Sequence, residues 1–269
     1  MPIRFLSLFA GVGGFDLGLE RASWECAGQV EIDPFCQKVL AKHWPNVWRY
    51  GDVRGVTAEL VREHCGRIDA IVGGVPCQPV SVAGKRKGDA DDRWLWGEFL
   101  RLVSEIKPVW VLAENPRGVL SISVDRLPFG QWISDRFAAL GYELLPINLA
   151  AEDVGAPHKR ERVFFVAVAD GGRIGSSHRN IVYERRETCD DGTASVQAST
   201  GRALGAAIRH VGPAIKNAWP CRPCGVADFP RAVDGFSDWL DRNHALGNAI
   251  VPQVAEVIGR AILASMEDR

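Results

Sequence analysis

The sequence predicts an α/β fold with a mainly parallel sheet, on three observations. Apolar runs of strand length alternate with stretches of helical apolar spacing through the first 150 residues. The first run empties into a glycine-rich turn, and two later runs end in Gly73-Gly74 and Glu114-Asn115-Pro116. From Asp170 the texture changes, because residues 170–225 are rich in Gly, Ser, Thr, Asn, Arg and Asp and poor in sustained apolar runs.

Taken in order, the strand-like runs are 3–8, 27–31, 68–72 and 109–113, with further partners at 142–149 and 162–168. Between them Pro34 to Trp44, Thr57 to Cys65, Trp94 to Ile106 and Phe129 to Leu140 place apolar residues near helical spacing. A short helix is also expected after the turn Phe9-Ala10-Gly11-Val12-Gly13-Gly14, where glycines let backbone approach a ligand and the helix start offers free N–H groups. Those glycines do not follow the spacing of a nicotinamide-dinucleotide fingerprint. After the irregular segment, Pro252 can open a last helix with Val254, Val257, Ile258, Ala261 and Ile262 on one face.

Composition bounds the function. At 46% apolar and 24% charged residues the chain reads as a globular protein with one sizeable core and a small second unit. No window approaches 18 consecutive apolar residues, so no membrane span is expected. The first run begins at Ile3 without a secretory pattern. Seven scattered cysteines suit a reducing cytoplasm rather than a disulfide framework. The formal net charge of −1 exerts no global pull on nucleic acid, but Lys85-Arg86-Lys87, Lys159-Arg160-Arg162 and Arg179 with Arg185-Arg186 form local basic clusters. Each could equally be solvated surface charge. No metal site is expected. Cys221-Arg222-Pro223-Cys224 would need two more zinc ligands, and Cys189, His178 and His210 stand at no familiar spacing from it.

Five stretches carry the chemistry: the glycine turn, Pro76-Cys77-Gln78, Glu114-Asn115, His158-Lys159-Arg160-Glu161-Arg162 and Gly247-Asn248. In this order they resemble the DNA cytosine-5 methyltransferase family, over roughly residues 3–170 and 228–265. One departure is visible, since the family usually has glutamine where this chain has His158. The resemblance implies a Rossmann-like S-adenosylmethionine-dependent methyltransferase fold. It divides the chain into a catalytic domain at 1–170, a short target-recognition region at 171–227 and a segment at 228–269 returning to the catalytic domain.

It also implies DNA (cytosine-5-)-methyltransferase activity of the restriction–modification or phage type. A thiolate adding to C6 turns the poorly nucleophilic C5 of cytosine into the carbon of an enamine, and Cys77 is the matching nucleophile. Only a few per cent of a free thiol of pKa about 8.5 is ionised at pH 7, so nearby positive charge from Arg160 and Arg162 would help. Glu114 matches the acid at N3, and its place beside an apolar strand is expected to raise its pKa. Asn115 is expected to order the turn. For S-adenosylmethionine the implied set is Phe9, Ala10, Gly11, Val12, Gly13, Gly14, Glu31, Ile32, Asp52, Val53, Gly74, Pro76, Leu95, Asn248 and Ala249. Glu31 takes the ribose and Asp52 the adenine amino group. Gln78, Ser81, Lys85, Arg86 and Lys87 are the DNA contacts, with glycines 84 and 88 bracketing a loop able to close over DNA.

The partner implied is double-stranded DNA with the target base flipped out. A cognate restriction endonuclease without a stable complex, action as a monomer and a cytoplasmic location complete the expectation. Each residue has a bland alternative: Cys77 as a buried small hydrophobe, Glu114 as a strand-end carboxylate capping a loop, the arginines as a surface strand. Two other functions stand beside the first: a transfer-RNA cytosine-5 methyltransferase of the same architecture, and a catalytically silent DNA-binding protein.

Overall fold

The computed structural model describes residues 1–76, 94–156, 159–169 and 249–267. Its frame is a seven-stranded sheet of β1 (Arg4–Leu8), β2 (Glu25–Val30), β3 (Trp48–Tyr50), β4 (Ala70–Gly74), β5 (Trp110–Pro116), β8 (Tyr142–Ala150) and β9 (Glu161–Ala169). The order across it is β3-β2-β1-β4-β5-β9-β8. Pairings from β3 through to β5 are parallel, while β9 runs antiparallel to both β5 and β8. A small hairpin, β6 (Ser123–Val124) with β7 (Leu127–Pro128), stands apart.

Helices cover both faces: α1 (Gly14–Arg21), α2 (Pro34–His43), α3 (Ala58–Cys65), α4 (Trp96–Ile106), α5 (Phe129–Ala139) and α6 (Pro252–Glu267). The local signals are legible. Asp33 caps α2 by accepting from Cys36 N at 2.8 Å with Pro34 following, and Thr57 caps α3 by accepting from Leu60 N at 3.2 Å.

Strand alternation builds two cores. On β1, Leu6 and Leu8 enter the core with Val61 of α3, Phe99 of α4 and Phe137 of α5, while Phe5 enters the opposite core with Phe15 and Leu19 of α1 and Val254 and Ile258 of α6. Helix α6 lies close on α1. A Cβ at Gly14 would strike the carbonyl of Ile250, and one at Gly18 would strike the carbonyl of Pro252 and come within 2.7 Å of the Ala255 Cβ. Small residues thus let α6 rest against the start of the chain.

Three features go beyond the sequence expectation. β3 and the β6–β7 hairpin are additional, being too short to produce a periodic signal. The last two strands of the main sheet form an antiparallel pair, because only a short connection, opened by the 3₁₀ turn Ala151–Val154, separates the end of β8 from the start of β9.

Candidate active site

The order of parallel strands reverses between β1 and β4, and ligands of open α/β sheets bind at such a point, outside the carboxyl ends of the strands. At this edge β1 empties into the glycine turn. Phe9, Gly11 and Gly13 all have positive φ, of 54°, 56° and 86°. Gly13 is held against the Trp44 ring, 2.5 Å from where its Cβ would be, whereas a Cβ on Gly11 would meet only open space. Glu31, just past β2, ties the turn down: Oε2 accepts from Gly11 N at 2.7 Å and Oε1 from Asp33 N at 2.8 Å. Each oxygen keeps a further lone pair for a ligand hydroxyl. Ile32 beside it is 65% exposed, an apolar side chain at a polar edge. Asp52, past β3, caps a 3₁₀ turn at Val53–Gly55 by accepting from Arg54 N at 3.0 Å. Open space at Gly11, an anchored carboxylate, exposed Ile32 and half-buried Asp52 together fit a nucleoside-bearing cofactor.

The neighbouring strands supply the reactive side. Glu114 sits at the end of β5, opposite Gly74 in register, and Oε2 lies 3.5 Å from where a Gly74 Cβ would be. Arg162, on the incoming end of β9, donates from Nε to Glu114 Oε1 at 2.8 Å. The carboxyl is 6% exposed, and burial pushes its pKa from 4.5 up to about 7 against the opposing pull of Arg162 and Arg160. Arg160 has a φ of 36° and donates from Nη2 to Ala249 O at 2.6 Å. Its guanidinium is itself held below the ordinary value, first by burial and then by Arg162. Asn115 donates from Nδ2 to Val75 O at 3.0 Å and to Glu114 O, so it fastens the end of β4 to the strand carrying Glu114. A small cavity is lined by Glu114, Arg160, Arg162, Phe164, Ile250 and Val254.

Of the expected residues, Phe9 to Gly14, Glu31, Ile32, Asp52 and Val53 follow the carboxyl ends of the parallel strands, Gly74 is the last residue of β4, and Pro76 lies just beyond it. Leu95 caps α4, and Ala249 meets Arg160. Cys77, Gln78, Ser81, Lys85, Arg86, Lys87, His158 and Asn248 lie outside the described residues, as does the expected recognition region. Arg162 is engaged by Glu114, a pairing to which nothing in the sequence points.

Sequence reasoning missed a polar cluster beneath the glycine turn. Asp16, fully buried, accepts from Ser7 Oγ at 3.0 Å, Gln29 Nε2 at 2.8 Å and Cys26 Sγ at 3.3 Å. Burial raises its pKa above the ordinary carboxyl value. The signal that could have found it is Ser7, a polar residue between Leu6 and Leu8 in a strand buried on both faces.

The family model for C-5 cytosine-specific DNA methylase matches residues 3–198. The chain belongs to this family. It is 38% identical over 169 residues to the Type II methyltransferase M.HgiCII of Herpetosiphon aurantiacus, covering 61% of this chain and 37% of that protein. With M.Eco47II of Escherichia coli it shares 41% over 174 residues, covering 62% of this chain and 40% of the relative. A solved E. coli prophage protein assigned as a DNA modification methyltransferase superposes with a TM-score of 0.52 at 34% identity, over 62% of this chain and 47% of that one. The chain thus spans less than half the length of these relatives. Among the described residues no helix is long and apolar enough to cross a membrane.

Proposed function

We propose that this chain transfers a methyl group from S-adenosylmethionine to C5 of a flipped-out cytosine in double-stranded DNA, with Cys77 as nucleophile. The observation that carries the reading is Glu114. A carboxyl that stays partly protonated near neutral pH stands at the ligand-binding edge of the sheet, oriented by Arg162.

In this mechanism the Cys77 thiolate forms a bond to C6, and the electron pair of the C5–C6 double bond becomes available at C5. Protonated Glu114 shares or gives its proton to N3, neutralising the charge that attack drives into the ring, and Arg162 keeps the carboxyl aimed. The cofactor supplies, when bound, an electrophilic methyl group. The glycine turn and Glu31 hold it on one side of the sheet's switch point, and Asn115 keeps the end of β4, which leads into Cys77, at a set distance from Glu114. Once C5 carries the methyl group, a water takes the C5 proton, the C5–H electron pair re-forms the C5–C6 double bond as the thiolate leaves C6, and N3 returns its proton to Glu114, which restores the aromatic ring. The division at 1–170, 171–227 and 228–269, action as a monomer, a cytoplasmic setting and an unassociated partner endonuclease belong to the same proposal.

The test is transfer of tritiated methyl from S-adenosylmethionine to mixed-sequence duplex DNA and, in parallel, to bulk transfer RNA, for the wild type and for Cys77→Ser. Label on C5 of cytosine that disappears in the variant supports the reading. Label on transfer RNA alone, or on neither nucleic acid, overturns it.

A further inference from the structure

Arg101 lies on α4, more than a helical turn beyond Leu95, yet its side chain reaches across to the turn that follows Asp52. Nη2 donates to Val53 O at 3.2 Å and to Val56 O at 3.0 Å. Nε donates to Glu98 Oε2 at 2.8 Å, and Nη1 to the two oxygens of Glu105 at 3.0 and 3.1 Å. Glu98 and Glu105 lie three residues before and four after Arg101 on the same helix, so they fix the fork from both sides and leave its Nη2 edge facing the two carbonyls. All three nitrogens are engaged. A guanidinium so occupied is not offered to a ligand, and its work lies in what it holds.

What it holds is the 3₁₀ turn Val53–Gly55, whose cap is Asp52. Val53 and Val56 are buried in the core by their side chains, and Gly55 N to Asp52 O at 3.0 Å and Val56 N to Val53 O at 3.2 Å close the turn internally, leaving its attachment to α4 to Arg101. The two bonds to Nη2 tie the closed turn to α4, and so set where Asp52, whose carboxylate also accepts from Arg54 N at 3.0 Å and pairs with Arg54 Nη1 at 3.2 Å, stands relative to that helix. We propose that Arg101 is a positioning residue for cofactor binding: it pins the Asp52 turn to α4, so that the adenine end of S-adenosylmethionine meets a preset Asp52. This rests on the cofactor reading given above.

Lysine is a poor substitute, because one ammonium cannot present a planar fork to two carboxylates and two carbonyls at once. The experiment measures binding of S-adenosylhomocysteine by calorimetry to the full chain, for the wild type, Arg101→Lys, Asp52→Ala and the double variant. Arg101→Lys is expected to raise Kd by about tenfold, the equivalent of ~1.4 kcal/mol, with kcat at saturating cofactor and KM for DNA unchanged. In the Asp52→Ala background the same change is expected to add almost nothing, because its route to the ligand has been removed. Equal Kd for wild type and Arg101→Lys overturns the inference, as do additive effects in the double variant. A loss of kcat and of affinity for DNA in step with a fall in Tm overturns it too, since that marks a purely structural role. If wild type itself fails to bind, the cofactor reading falls, and the Arg101 inference with it; if wild type binds, only the inference is at stake. Should Arg101→Lys not fold, Glu98→Gln, which frees one side of the fork, is measured in its place with the same three outcomes.

Discussion

Replacing Glu114 with glutamine separates what this residue does for catalysis from what it does to stability. A carboxyl whose pKa rises from 4.5 in the unfolded chain to about 7 in the fold binds its proton more tightly when folded. Its contribution is therefore fully present below pH 4.5 and is lost as pH rises to about 7, the window in which the unfolded chain has released the proton and the fold still holds it. Relative to a side chain that stays neutral, the titration of this carboxyl destabilises the fold by ~3 kcal/mol at pH 8 and by only about 1 kcal/mol at pH 5, from the 1.36 kcal/mol that each pH step between the two pKa values is worth. Glutamine carries no charge to desolvate and can still accept from Arg162. Urea unfolding is thus expected to show Glu114→Gln more stable than wild type at pH 8, with the gain shrinking by about 2 kcal/mol at pH 5. Methyl transfer by the same variant is expected to fall by about 10²-fold or more, since glutamine has no acidic proton to give. A variant less stable than wild type at both pH values, by the same amount, would refute the reasoning. It would mean that the Arg162 pair outweighs the burial of the charge.

Three further outcomes follow from the geometry. Gly13→Ala meets both a φ of 86° and the Trp44 ring 2.5 Å away, and is expected to cost about 2 kcal/mol or more and to weaken cofactor binding, read by thermal melting with and without S-adenosylhomocysteine. Gly18→Leu should separate α6 from α1 and destabilise by about 2 kcal/mol or more, breaking the Arg160–Ala249 hydrogen bond as well. Partial proteolysis from the C-terminus is the assay, and an unchanged digestion pattern counts against the close packing. Asp16→Asn keeps an acceptor for Gln29 while removing a carboxyl that burial holds above its usual pKa. Wild-type stability should decline as pH rises past the ordinary carboxyl range by a component absent in the variant, and identical pH profiles in urea would contradict this.

Much of the frame is legible in the sequence itself. Parallel strands buried on both faces must be continuous apolar runs, and β1, β2, β4 and β5 announce themselves in that way. Glycines that need positive φ, prolines that open helices and a carboxylate at a strand end are local requirements, so the turn at Gly11–Gly14, the start of α6 and the candidacy of Glu114 were visible as sequence. The short β3 and the β6–β7 hairpin were not, because two or three residues carry no period.

By itself, then, the sequence determined which residues line one edge of an α/β sheet, since periodicity and turn chemistry act between near neighbours. Tertiary structure alone decided the pairings: Arg162 to Glu114, Arg160 to the carbonyl of Ala249, Arg101 to the Asp52 turn, and Asp16 to Ser7 and Gln29. Each joins residues from different parts of the fold, and its energy depends on burial that exists only once the two faces of the sheet are covered. The carboxyl type of Glu114 is a property of the chain; its pKa of about 7 is a property of the fold.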